Sequence, residues 1–162
     1  MFMKIQEITI PADVKVQIQS KQILVTGSLG TLYIKINKTF KNTWVIAQAL
    51  LTNAIIGVSQ GYLQKLQIYG SGYRVTTITK DTITLKLGYS YDTQITIPFG
   101  ITVQANKYNQ ILCVGIDKQK LSQFTQDLQK VRPYNIYKKK GIYPIGSTLP
   151  VKVSGKPGIF YV

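Results

Sequence analysis

The chain has 162 residues, 44% of them hydrophobic, enough to bury a core and too many for a disordered protein. Its 20 Lys and Arg face only 6 Asp and Glu, a formal net charge of +14. Such an excess repels itself unless an anionic partner neutralises it: nucleic acid, an acidic membrane surface or an acidic protein. There is no histidine, so the commonest general base and metal ligand are missing, and neither enzymatic chemistry nor a metal centre is expected.

The six acids are Glu7, Asp13, Asp81, Asp92, Asp117 and Asp127. They are scattered, mostly at turns, and form no carboxylate pair for acid–base work. No cofactor or small-molecule substrate is implied. The single cysteine, Cys113, allows no intrachain disulfide, and its run Ile111-Leu112-Cys113-Val114 marks it as a small buried hydrophobe. No segment reaches the roughly 18 apolar residues that would span a bilayer. Met1-Phe2-Met3-Lys4 does not open a signal peptide. The chain is rich in Lys, Ile, Asn, Tyr and Gln and poor in Ala and Arg. That is the bias of an AT-rich genome, and it points to an organellar gene, with the mitochondrial matrix as first choice and the plastid as second.

In chain order, the first alternating segments are Ile8-Thr9-Ile10, then Val14-Lys15-Val16-Gln17-Ile18, separated by the turn formers Pro11-Ala12-Asp13. Sixty residues later Ile68-Tyr69, Gly70-Ser71-Gly72 and Tyr73-Arg74-Val75-Thr76-Thr77-Ile78 repeat the arrangement. The correspondence continues: Ile23 and Val25 match Ile83 and Leu85, Gly27 matches Gly88, and Ile34 and Ile36 match Ile95 and Ile97. We read this as an internal duplication. Thr82 to Leu87 and Thr93 to Ile97 alternate with period two, as half-buried antiparallel strands do, and Pro98 and Gly100 close the second.

Each half also holds one helix. The first runs from about Trp44 to Val58, capped by Asn42 or Thr43. Being apolar around most of its circumference, it is expected to be covered on more than one side. The second runs from about Asp117 to Val131, with Asp117 as N-cap and Leu121, Phe124, Leu128 and Val131 on one stripe. Arg132-Pro133 ends it. A strand from Gln110 to Ile116 precedes this helix, whereas the first half has only Asn37 to Thr43 in that place and lacks a hairpin. The expected fold is α+β: two similar small domains, 1–61 and 62–162, each an antiparallel sheet with one helix on a face, the first shortened.

Past Asp127 there are seven Lys or Arg and no acid. The run Tyr137-Lys138-Lys139-Lys140-Gly141-Ile142-Tyr143 is the main binding candidate. Its lysines suit phosphates, Gly141 permits close backbone approach, and the tyrosines can stack on unpaired bases. The bland alternative, a solvated lysine loop, is weakened by the one-sided charge of the whole tail. Gly70-Ser71-Gly72-Tyr73-Arg74 is not a P-loop, since no helix follows and the lysine spacing is absent. It reads as a turn or bulge between strands, from which Arg74 can still reach RNA.

Ordered along the chain are Ala49 to Tyr62, Lys65 to Arg74, Leu87-Gly88-Tyr89-Ser90, Pro98-Phe99-Gly100-Ile101, Gly115-Ile116-Asp117-Lys118-Gln119 with Gln123 beyond, and Lys138 to Tyr143. In this order and spacing they resemble large-subunit ribosomal protein six in its bacterial and organellar form, over about residues 10–156. The resemblance implies two similar α+β domains and a structural place in the large ribosomal subunit. It implies binding to large-subunit rRNA near the sarcin–ricin loop and the translational GTPase centre, beside neighbouring ribosomal proteins. Carried over by position, the contacts fall on Tyr137, Lys138, Lys139, Lys140, Gly141, Ile142 and Tyr143, with Lys152 and Lys156 on the extension. The family run usually has a glycine where Lys139 stands, an acid this chain lacks, and no proline after the final tyrosine. The competing expectation is a stand-alone basic module for acidic membranes or acidic proteins, which calls for a basic amphipathic helix or a lipidation signal. Neither is present in the sequence.

Overall fold

A computed structural model describes residues 8–18, 22–35, 43–106, 109–153 and 156–161. They fall into two compact units, one of Met1–Tyr62 with Ile116–Lys118, the other of Leu63–Gly115 with Gln119–Val162. The secondary structure is α+β with antiparallel sheets and two helices, the class expected from the alternating and helical periodicities.

The first unit is a meander of β1 (Lys15–Ile18), β2 (Gln22–Gly27) and β3 (Gly30–Lys35) with helix α1 (Thr43–Ser59) packed on β2 and β3. Alternation decides which side chains enter the core. Ile23 and Val25 of the central strand are buried with Val14, and α1 adds Ala54, Ile55 and Val58. The expectation that α1 is covered on more than one side fails, because Val45, Ile46 and Ile56 are exposed. Among the described residues this unit offers the helix one sheet, with Tyr62 and Ile116 beside Asn53 and Gly57.

The second unit carries more than the single sheet expected. Strands β4 (Tyr62–Tyr69), β8 (Ile101–Ala105), β9 (Gln110–Gly115) and β10 (Gly141–Pro144) form one sheet in the order β10-β4-β9-β8. Strands β5 (Arg74–Ile78), β6 (Thr82–Lys86) and β7 (Thr93–Thr96) form another, and β11 (Thr148–Val153) pairs with β12 (Lys156–Tyr161). Helix α2 (Lys118–Val131) follows directly on Asp117. Its Ser122 and Thr125 meet Gln64 of β4 through hydrogen bonds, which fixes it over that strand. Leu121, Phe124 and Leu128 of the expected stripe are buried, and so is Thr125, whose hydroxyl donates to the Leu121 carbonyl at 2.9 Å.

The duplication appears in the strand registers. β2 lies opposite β3 with Ile23 facing Ile34, and β6 lies opposite β7 with Ile83 facing Ile95. Val16 faces Val25 in one meander, Val75 faces Leu85 in the other, and Val25 and Leu85 are both completely buried. The copies diverge outside the meanders. Ile8 to Ile10, expected as a strand by analogy with Ile68-Tyr69, form none. A strand exists only with a hydrogen-bonded neighbour. β4 has β9 and β10 beside it, and among the described residues the first unit has no counterpart of either. Ile36 and Asn42 lie outside the described residues.

Candidate nucleic-acid interface

The lysine run is held by backbone chemistry rather than left loose. Asn135 begins a tight loop in which its side-chain oxygen accepts from the backbone N–H groups of Tyr137 (2.9 Å) and Lys138 (3.0 Å). This is the local bond by which asparagine nucleates a turn. The Asn135 N–H donates to the Lys140 carbonyl and the Lys139 N–H to the Asn135 carbonyl, both at 2.8 Å. Residues 135–140 therefore close on themselves and project Tyr137, Lys138 and Lys139 outward, all three exposed. Lys139 adopts φ +52°, the left-handed region where a side chain crowds its own backbone. A glycine is usual at this place in the family that the sequence resembles, and the backbone conformation gives the reason.

Gly141 joins the loop to β10 at φ +141°. A Cβ there would lie 2.6 Å from the Tyr134 Cα and 2.7 Å from the Pro133 carbonyl oxygen, so only glycine passes. Ile142 and Tyr143 follow, at 2% and 4% exposure, with the Tyr143 ring edge-on to Tyr134 at 5.5 Å. Their burial, with some help from neighbouring tyrosines, raises the Tyr143 hydroxyl above its ordinary pKa, so it stays protonated. Gly141, Ile142 and Tyr143 thus seat the loop, while the lysines and Tyr137 form its outer surface.

The register of β10 against β4 determines what the loop meets. Gly141 lies opposite Tyr69 and Ile142 opposite Ile68, which delivers Lys140 to the Gly70-Ser71 turn. Lys140 Nζ donates to Ser71 Oγ at 2.9 Å. Together these segments border a concavity of about 460 Å³ lined by Lys138, Lys139, Lys140, Gly70, Ser71, Tyr69 and Asn109, with Gln67 and Ile68. Three lysines, a serine and a glycine backbone border one hollow, and the Lys140 ammonium is fixed at it by Ser71. Such a set has the chemistry for phosphate oxygens rather than for an apolar ligand.

Gly70-Ser71-Gly72 is a turn, closed by the Tyr73 N–H donating to the Gly70 carbonyl at 3.2 Å. The ring of Tyr73 is buried where a Cβ on Gly70 or on Gly88 would strike it, at 2.7 and 2.8 Å. Two glycines from separate motifs clear room for one ring. The bulge comes later, between Val75 and Thr77. Arg74 is exposed at the start of β5, opposite Lys86, and does not line the concavity. Lys152 and Lys156 sit on β11 and β12, opposite Pro157 and Val153.

Sequence reasoning missed Ser71, Asn109 and Asn135 as parts of this surface. Asn135 carried a usable signal, an asparagine two residues before an exposed aromatic–lysine run. Asn109 carried none, since its place comes from a left-handed turn, φ +56°, and from side-chain donation to the Tyr73 carbonyl. Among the described residues no group of three or more His, Cys, Asp or Glu side chains gathers to hold a metal. No described helix is long and apolar enough to cross a membrane.

The family described as Ribosomal protein L6 matches residues 69–143, a span that includes the turn, the meander, α2 and the lysine loop. The chain is 32% identical to the large ribosomal subunit protein uL6 of Beijerinckia indica over 83% of its own length and 87% of the relative's. It is 33% identical to that of Mycoplasma pneumoniae over 90% of each, and 35% identical to that of Thermodesulfovibrio yellowstonii over 93% and 94%. The chain belongs to the Ribosomal protein L6 family, a family of ribosomal proteins and not of enzymes.

Proposed function

We propose that this protein is a structural constituent of the large ribosomal subunit, anchored to large-subunit rRNA near the sarcin–ricin loop and the translational GTPase centre. The observation that carries the reading is the concavity in which Lys138, Lys139 and Lys140 meet the Gly70-Ser71 turn. Its donors are spaced along one surface, as a polyanionic backbone requires. Residues 1–61 act as an N-terminal domain, and residues 62–162 as the C-terminal domain that makes the RNA contact. Tyr137, Lys138, Lys139 and Lys140 touch RNA, Gly141, Ile142 and Tyr143 hold them in place, and Arg74, Lys152 and Lys156 extend the basic surface. Neighbouring large-subunit proteins complete the surroundings. The Lys-, Ile- and Asn-rich composition favours a mitochondrial ribosome, with the plastid second.

Sedimentation of the tagged full-length protein from organelle extracts tests this directly. The protein should travel with the large subunit of the mitochondrial ribosome and leave it only at high salt. Recovery at the top of the gradient at low salt, or in the membrane fraction, would reject the assignment.

A further inference from the structure

The second unit also builds an aromatic stack from residues that do not line the concavity. The rings of Tyr89 and Tyr91 lie nearly parallel, 15° apart with centroids at 5.8 Å. The guanidinium carbon of Arg132 sits 4.8 Å from the Tyr89 ring centroid, a favourable cation–π distance. Both supports are anchored. Tyr89 donates its hydroxyl to the Val131 carbonyl at 3.1 Å. Arg132 Nε donates to the hydroxyl of Tyr73 at 3.2 Å, and Tyr73 is 6% exposed.

Tyr91 is 66% exposed. A pair of stacked tyrosines ordinarily serves to bury both rings, and this pair leaves the outer one in water. The result is an exposed π-surface stacked on Tyr89, which Arg132 holds in turn, on a chain of net charge +14. A ring held in this way loses little freedom on binding, and its natural complement is another flat ring carried on an anionic chain. We propose that Tyr91, braced by Tyr89 and Arg132, is a stacking platform for an unpaired RNA base. This rests on RNA being the partner and adds a contact distinct from the lysine concavity.

The test uses the full chain and two probes, single-stranded hexaadenylate and an abasic hexamer of the same charge. Tyr91→Ala should weaken hexaadenylate binding about 5- to 100-fold, while Tyr91→Phe keeps it and abasic binding is unchanged. Equal hexaadenylate affinity for wild type and Tyr91→Ala, or no wild-type preference for hexaadenylate over the abasic probe, would overturn the proposal. The rRNA reading fails separately, if wild type does not bind a large-subunit rRNA fragment containing the sarcin–ricin loop. If wild type binds that fragment while Tyr91→Ala binds hexaadenylate normally, only the stacking platform is lost.

Discussion

Lys140 Nζ donates a 2.9 Å hydrogen bond to Ser71 Oγ across 69 residues of sequence, tying the lysine loop to the turn between β4 and β5. The bond is exposed and adds little to stability. Its effect is to hold one ammonium group at the rim of the concavity. Ser71→Ala should therefore change unfolding free energy by less than about 0.5 kcal/mol. Its affinity for an rRNA fragment should fall about 2- to 5-fold, since Lys140 must then be ordered at the moment of binding. Urea unfolding and fluorescence anisotropy on the same samples check both halves. A salt dependence equal to wild type is also expected, because no charge is removed.

Lys139 holds a left-handed backbone, so substitutions there sort by backbone and not by charge. Lys139→Val should destabilise by about 1–2 kcal/mol, because a β-branched side chain clashes most in this region. Lys139→Gly should stay within about 1 kcal/mol of wild type, relief of strain being offset by the greater freedom of glycine in the unfolded chain. Thermal melts of the two variants should differ in this order, and a Val variant as stable as the Gly variant would refute the strain argument.

The space at Gly141 is closed by main-chain atoms of Pro133 and Tyr134, which cannot rotate away as a side chain can. Gly141→Ala is expected to cost about 2–3 kcal/mol. It should also weaken RNA binding, because the displaced segment carries Lys140. In urea the midpoint should drop with the slope unchanged.

Cys113 is fully buried, and desolvation pushes its thiol up to about 12. The folded pKa lies above the unfolded one, so the neutral thiol's contribution is complete below about pH 8.5, the ordinary value for an unfolded cysteine. It is lost as pH rises towards the folded value, at up to about 1.4 kcal/mol per pH unit. Cys113→Ala should flatten the fall in stability between those limits relative to wild type. Native protein at pH 8 should also resist a thiol reagent that labels it at once in urea. Rapid native labelling would show that the residue is accessible.

Much of this fold was legible because its strands alternate. The central strands β2 and β6 were placed by Ile23, Val25, Ile83 and Leu85 alone, and their burial follows from period two. The stripe of α2 was equally plain. What escaped depends on pairing over long distances. Gly141 to Pro144 form a strand only because β4 lies beside them, and nothing local in Gly-Ile-Tyr-Pro announces that. Ile8 to Ile10 alternate well and still form no strand, for want of a neighbour among the described residues. The lysines were recognisable from charge, whereas their meeting with Ser71 was not, since it depends on the β10–β4 register. The burial of Ile142 and Tyr143 likewise separates residues that present the loop from those that hold it, a division the linear motif conceals.

The central claim is that Lys138, Lys139 and Lys140 bind RNA phosphates from the concavity. The most direct measurement is the affinity of the full chain for a large-subunit rRNA fragment containing the sarcin–ricin loop, across a series of salt concentrations. It should be made for wild type and for the variant with all three lysines replaced by alanine. Each phosphate contact contributes about 0.7–0.9 to the slope of log affinity against log salt. The triple variant should therefore bind more weakly, with a slope shallower by about 2. A variant that keeps the wild-type slope and affinity would contradict the claim.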